Sequence, residues 1–145
     1  MGFRFPLATV LRVREIAEDR EERRLAYILS QIGRARQSLR ECQTQNSNLI
    51  LVREAQICKQ LSAAQLQISY NQLRALEIMQ KEIQSQLNNL ESLRDQQMKI
   101  YEAAHRDREV ISGMREKQLA VFQHEQARRE QNSMDDTFAS RRILR

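Results

Sequence analysis

Apolar residues recur along the chain at alternating intervals of three and four residues, the spacing of one face of a long helix. The repeat is clearest from Leu25, because Leu25, Ile32 and Leu39 lie seven residues apart. A companion series interleaves with it: Ile28, Ala35, Cys42 and Leu49. Together the two series occupy the a and d positions of a coiled-coil seam. The pattern therefore predicts a helix that packs along a second helix.

The repeat changes on both sides of this stretch. Upstream, Val10, Val13 and Ile16 with Ala17 are out of phase with it, so we predict a stutter from Glu18 to Arg24 that relaxes the supercoil locally. Downstream, Asn46 takes the next a position. If Asn46 is buried, it would fix the register of the two helices. The alternative is that the helices separate at this point and the Asn side chain is solvated.

A second helix is predicted to begin near Ala63. Its start is indicated by Ser62-Ala63-Ala64-Gln65, in which the Ser and Gln side chains can cap the first backbone N–H groups reciprocally. The apolar residues of its seam are Leu66, Leu73, Leu76, Ile83, Leu87, Leu90, Tyr101, Ala104, Ile111 and Phe122. Polar residues take core-phase positions between them, namely Gln80, Arg94, Gln97, Arg108 and Arg115.

The predicted fold class is all-α, a single long antiparallel two-helix coiled-coil hairpin over residues 1–145. Helix one spans about 6–57, the turn about 58–62 and helix two about 63–138, followed by a frayed C-terminus. Pro6 suits the first turn of helix one. The composition agrees, because three Gly and one Pro are too few for the several turns of a globular domain of this length.

The sequence carries no pattern that indicates catalysis. A two-helix hairpin encloses no pocket in which reactive groups could converge. His105 and His124 form no metal-ligand pair, and Cys42 and Cys58 lack the short spacing of a zinc site. On one straight helix these two cysteines would be roughly 24 Å apart, so we predict buried thiols without a disulfide. We therefore expect no enzyme activity, metal, cofactor or small-molecule substrate.

The net charge of +5 comes from Lys and Arg residues that are interleaved with Glu and Gln, as on solvated helix faces. A nucleic-acid-binding coiled coil would carry a dense basic run beside its zipper, so no nucleic-acid partner is expected. A self-assembling structural coiled coil is also disfavoured, because the second seam is broken by polar residues. No apolar run approaches the ~18 residues of a membrane span, so we expect a cytoplasmic protein.

Both ends of the chain resemble those of the flagellar FliJ family. The start, with Phe3-Arg4-Phe5, Leu7, Val10-Leu11 and Arg14-Glu15, is similar to the family pattern F-x-F-x-L followed by L-x-x-R-E. The tail, with Glu125, Arg128, Glu130-Gln131 and Met134-Asp135-Asp136, is similar to the family's Glu, Arg, acidic-Gln and Leu/Met-Asp-Glu at matching intervals. Two departures are Asp136, where Glu is usual, and Asn132-Ser133, where Lys is common.

The resemblance implies a component of the flagellar type III export apparatus, peripheral at the cytoplasmic face of the inner membrane. Family members act as the central stalk of the hexameric export ATPase, contact the cytoplasmic part of the export-gate membrane protein and escort export chaperones. The alternatives are the equivalent stalk of a virulence secretion system and a generic structural coiled coil.

The same resemblance assigns candidate contact residues. The paired helix ends enter the ATPase ring, which implies contacts by Phe3, Phe5, Arg12, Arg14, Glu125, Arg128, Arg129, Gln131, Met134 and Asp135. Gate contact involves the first turns of the second helix, where the candidates are Tyr70, Leu73 and Leu76. Both leucines also fit the seam.

Overall fold

The computed structural model describes the backbone of residues 2–143 and the side chains of residues 2–140. Over this range the chain forms two helices, α1 (Ala8–Ile57) and α2 (Ala63–Ile143), which pack against each other. The predicted all-α two-helix fold is confirmed.

The contacts between the helices divide the chain into two units. The terminal unit comprises Met1–Arg20 and Tyr101–Arg145, and the turn unit comprises Glu21–Ile100. In the terminal unit Phe3 pairs with Phe122 and Arg14 with Asp107, and in the turn unit Glu21 pairs with Gln97 and Cys42 with Met79. Later residues of α1 thus meet earlier residues of α2, so the helices are antiparallel within each unit.

Residues 58–62 connect the helices without a glycine. The N–H of Lys59 donates to the carbonyl of Gln56 at 2.9 Å, which tightens the last turn of α1. Gln60 then adopts a φ of 55°, the left-handed conformation that commonly ends a helix.

The capping box predicted at the start of α2 is confirmed. The N–H of Ser62 donates to Oε1 of Gln65 at 3.2 Å, and the N–H of Gln65 donates to Oγ of Ser62 at 3.4 Å. Two N–H groups that the helix itself cannot satisfy thereby gain partners, so α2 begins at Ala63.

The far end of α2 differs from the prediction. The helix continues to Ile143, whereas fraying was expected after about residue 138. No Gly or Pro follows Gly113, so the sequence contains no strong helix breaker there. The hydroxyls of Thr137 and Ser140 each donate to the carbonyl four residues earlier, both at 2.7 Å. Residues 144 and 145 lie outside the described part of the chain.

The seam predicted for α1 is confirmed. Leu25, Ile32 and Cys42 are buried, and the other members are half-buried, namely Ile28, Ala35, Leu39 and Leu49. Asn46 is half-buried as well, intermediate between the two alternatives considered for it.

The seam predicted for α2 is confirmed too, including most of its polar positions. Leu87 and Gln97 are buried. The remaining apolar members are half-buried, namely Leu66, Leu73, Leu76, Ile83, Leu90, Tyr101, Ala104, Ile111 and Phe122, and so are Gln80, Arg94 and Arg108. Arg115 is exposed and does not belong to the seam.

The stutter predicted from Glu18 to Arg24 is wrong. The heptad of α1 continues without a phase change from Leu25 back through Glu21 and Glu18 to Leu11. Leu11 and Glu21 are buried and Glu18 is half-buried, whereas the out-of-phase Val10, Val13 and Ile16 are exposed. The reason is that α2 presents hydrogen-bonding side chains opposite the two carboxylates, so polar residues occupy core positions there.

The prediction that both cysteines are buried is wrong for Cys58. Cys42 is buried in the seam, with its Sγ 3.3 Å from Sδ of Met79. Cys58 is exposed, because α1 ends at Ile57 and the residue lies in the connection. Both thiols are free.

Candidate functional site

A charged cluster holds the two helices of the terminal unit together. Nε of Arg108 donates to Oε2 of Glu18 at 2.5 Å, and Nδ1 of His105 lies 2.6 Å from Oε1 of the same carboxylate. The hydrogen bond from Arg108 lowers the pKa of Glu18, while burial opposes this shift and His105 adds to it. The cluster therefore stabilises one register of α1 against α2.

Acid should weaken this cluster, because the pKa of Glu18 is lower in the folded chain than in the unfolded one. The stabilisation is complete above the unfolded pKa of roughly 4.3 and is lost as the pH falls through the folded pKa. Glu18→Gln is expected to reduce stability at pH 7 by roughly 1–2 kcal/mol and to flatten the decline below pH ~4.3. Thermal unfolding followed by circular dichroism from pH 7 to 3 measures both effects.

The matched control for this substitution is Glu22→Gln, at an exposed position of α1. It should retain the wild-type stability and pH profile. Identical profiles for Glu18→Gln and the wild type would contradict the role given to the carboxylate.

The segment before α1 is held against α2 by aromatic packing. The rings of Phe3 and Phe122 lie 5.6 Å apart between centroids and are tilted by 53°. Phe5 is half-buried. These two ATPase-contact candidates therefore pack within the terminal unit and present only part of their surface to a partner.

Two arginine candidates on α1 have different surroundings. Arg12 is exposed. Nη1 of Arg14 donates to Oδ2 of Asp107 at 2.9 Å, so this guanidinium already has an acidic partner on α2. Of the two, Arg12 presents the more available charge.

Beyond Phe122 the helix α2 has no seam. All side chains from 123 to 140 are exposed, and we call this segment the overhang. Six sequence-predicted candidates lie on it, namely Glu125, Arg128, Arg129, Gln131, Met134 and Asp135. A groove of about 280 Å³ at its base is lined by Phe122, Glu125, Gln126, Arg129 and Glu130. The overhang is thus a helix whose full circumference can meet a partner.

The turn unit carries a separate, mainly apolar groove of about 540 Å³. We call it the turn-unit groove, and its lining residues are Gln45, Asn48, Leu49, Val52, Gln72, Ala75 and Leu76. Of the gate candidates, Leu76 lines this groove, Tyr70 is exposed, and Leu73 and Leu76 are half-buried in the seam.

The α1 side of the groove was missed from the sequence. Val52 could have indicated it, because this aliphatic residue lies outside the a and d positions of the heptad. In the structure its side chain is 50% exposed.

Within residues 2–140, no group of three or more His, Cys, Asp or Glu side chains is placed to hold a metal ion. Neither helix, over the part that the structure describes, has a stretch apolar and long enough to cross a membrane.

A family model described as flagellar FliJ protein matches residues 3–145, which include both ends of the chain and the coiled coil between them. No curated protein and no solved structure matches the chain.

Proposed function

The chain belongs to the flagellar FliJ family and is therefore a component of the flagellar export apparatus, and from this premise we propose that it is the central stalk of the export ATPase ring. The observation that carries the proposal is the overhang, a continuous helix whose side chains from 123 to 140 are all exposed. A single helix about 10–12 Å across can enter a ring pore and contact several subunits around its circumference.

The overhang carries the groups that contact the ring. Arg128 and Arg129 meet acidic loops, Glu125 and Asp135 meet basic ones, and Gln131 and Met134 fill the contacts between them. Exposed Arg12 adds a positive charge near the start of α1. Phe3 contributes by holding the chain start on Phe122 of α2, and Arg14 by its ion pair with Asp107. Half-buried Phe5 adds its exposed part to the contact with the ring.

The turn-unit groove is the proposed contact for the cytoplasmic part of the export-gate membrane protein. Its aliphatic lining, Leu49, Val52, Ala75 and Leu76, suits an apolar side chain of a partner, and its amide side chains can orient the partner's backbone. Exposed Tyr70 supplies an additional aromatic contact on α2.

The remaining parts of the proposal concern other partners and location. Export chaperones are escorted through the same exposed helical surfaces. A protein with these partners works in the cytoplasm, peripheral at the inner membrane, and we propose this location for the chain. The family match favours the flagellar system over the virulence stalk that the sequence also allowed.

One experiment with two readouts tests the proposal. The chain is titrated into the export ATPase while ATP hydrolysis is measured, and its binding to the gate's cytoplasmic part is measured by calorimetry. The wild type should promote ring assembly and hydrolysis. Val52→Glu should keep that stimulation and weaken gate binding about tenfold or more, because a charge enters an apolar groove.

Leu51→Glu is the matched control, since Leu51 is also exposed on α1 but does not line the groove. It should bind the gate like the wild type. Failure of the wild-type chain to form an ATPase complex would refute the stalk. Equal gate binding by Val52→Glu and Leu51→Glu would refute the groove as the gate contact.

A further inference from the structure

Exposed apolar side chains follow one side of the terminal unit. On α1 they are Val10 and Val13, and on α2 they are Val110, Met114 and Val121. Asp107, Val110 and Met114 lie at i, i+3 and i+7 and therefore share one helix face. Val10 lies one turn before Arg14, whose ion pair with Asp107 crosses on this side. The two sets thus border the same side of the helix pair, and we call this surface the apolar stripe.

Three basic residues lie beside the apolar stripe. Arg4 and Lys117 line a groove of about 370 Å³, together with Phe3, Gln118, Val121, Phe122 and Glu125. Arg106 lies one turn before Val110 and adds a third cation. The nearby Asp107 is taken by Arg14. A partner for this stripe should therefore combine apolar residues with acidic ones.

The part of the overhang from Glu130 to Ser140 has this composition, unlike Arg128 and Arg129 before it. Met134 and Phe138 lie one turn apart and are 60% and 70% exposed. From Glu130 to Ser140 the segment carries Glu130, Asp135 and Asp136 and no basic residue. Because α2 is one continuous helix, its overhang cannot fold back onto the stripe of its own copy.

We propose that two copies of this chain associate through antiparallel α2 helices, with the overhang of each copy on the apolar stripe of the other. The spacing supports one alignment. When Met134 faces the partner's Met114, Phe138 faces Val110, because both steps are four residues in opposite directions. In the same alignment Ala127, seven residues before Met134, faces the partner's Val121, seven residues after the partner's Met114. Glu130 then lies beside the partner's Lys117.

This arrangement has a two-fold axis near residue 124, so each contact occurs twice and the assembly is closed. The proposal does not depend on the ATPase stalk. The dimer would nevertheless affect the stalk function, because it covers the overhang. Self-association and ATPase binding would then compete for one surface.

Sedimentation equilibrium of the full chain over a range of concentrations tests the proposal. The wild type should form a dimer. Lys117→Glu and Glu130→Lys should each weaken it about tenfold, since each turns two attractive pairs into repulsive ones. The double variant Lys117→Glu/Glu130→Lys should recover the wild-type affinity, because the pairs re-form with reversed charge.

Two matched controls carry the same charge changes at exposed positions away from the stripe. They are Lys99→Glu and Glu116→Lys, and both should dimerise like the wild type. Circular dichroism of each variant verifies that its helices are intact. A wild type that stays monomeric overturns the proposal, and so does a dimer that Lys117→Glu leaves unchanged or that the double variant does not restore. The ATPase titration is read separately, so failure of self-association is distinguishable from failure of the stalk.

Discussion

Removal of residues 125–145 is expected to abolish complex formation with the export ATPase and to stop flagellar motility. The remaining helices should keep the thermal stability that the full chain has at concentrations too low for self-association. The physical reason is the difference between the two parts of α2. Every side chain from 123 to 140 is exposed, so the truncation removes no seam contact among the described residues. It does remove the six candidate contacts on the overhang, and losing a whole interface segment should cost about a hundredfold or more in affinity.

The experiment compares this truncation with a shorter one that removes only residues 139–145. The shorter variant retains every candidate contact residue as well as Phe138, so it should support binding and swimming. Measurements are ATPase co-purification, swimming in soft agar, secretion of export substrates, and the melting temperature from circular dichroism. Wild-type motility and export after removal of 125–145 would rule out the overhang as the ATPase contact.

Gln97→Leu is expected to lower the free energy of unfolding by roughly 2–3 kcal/mol, although it places an aliphatic residue in a coiled-coil seam. Nε2 of Gln97 donates to Oε2 of Glu21 at 2.7 Å and to its carbonyl oxygen at 3.2 Å. Glu21 is 6% exposed and Gln97 is 9% exposed. Arg24 also donates to this carboxylate, at 3.0 and 3.2 Å, but from an exposed position. The substitution therefore withdraws the 2.7 Å hydrogen bond from a buried carboxylate, and this loss outweighs the added apolar area.

The double variant Glu21→Leu/Gln97→Leu should recover most of this loss, because no buried carboxylate then remains, and Arg24, which also donates to Glu21, is exposed and can be solvated. Gln80→Leu is the control, since Nε2 of Gln80 is buried without a hydrogen-bond partner among the described residues. There the same substitution should stabilise the fold by about 1 kcal/mol. Denaturant unfolding of all variants measures these values, and additive effects of the two Leu substitutions would disprove the coupling.

The helices could be predicted from local features of the sequence. Scarce Gly and Pro allow long uninterrupted helices, and the Ser62 to Gln65 cap sets the start of α2. The aliphatic seam from Leu25 to Leu49 could also be predicted, because its heptad repeat is regular. These features involve neighbouring residues only, so a single sequence contains them.

The polar part of the core could not be predicted in this way. Val10, Val13 and Ile16 are apolar and suggested a phase change, yet Glu18 and Glu21 are the residues at core positions. Which residues become buried depends on the register with α2, where Gln97, His105 and Arg108 supply hydrogen bonds.

The candidate surfaces, too, could be predicted only where they depend on neighbouring residues. The overhang residues came from a local motif, whereas the turn-unit groove needs Val52 on one helix and Ala75 on the other. Nothing in either segment alone specifies that distant residues form one groove.

The order in which the contacts close has a consequence for synthesis of the protein. The contact between Cys42 and Met79 joins residues 37 apart in sequence, whereas that between Glu18 and Arg108 joins residues 90 apart. Because shorter loops close at a lower entropic cost, pairing starts near the turn and proceeds towards the chain ends. A nascent chain therefore completes its terminal unit only after Phe122, the partner of Phe3, has left the ribosome, and the overhang emerges later still. An unfinished polypeptide lacks the overhang, so under the proposed stalk function only a chain synthesised past this segment engages the ring.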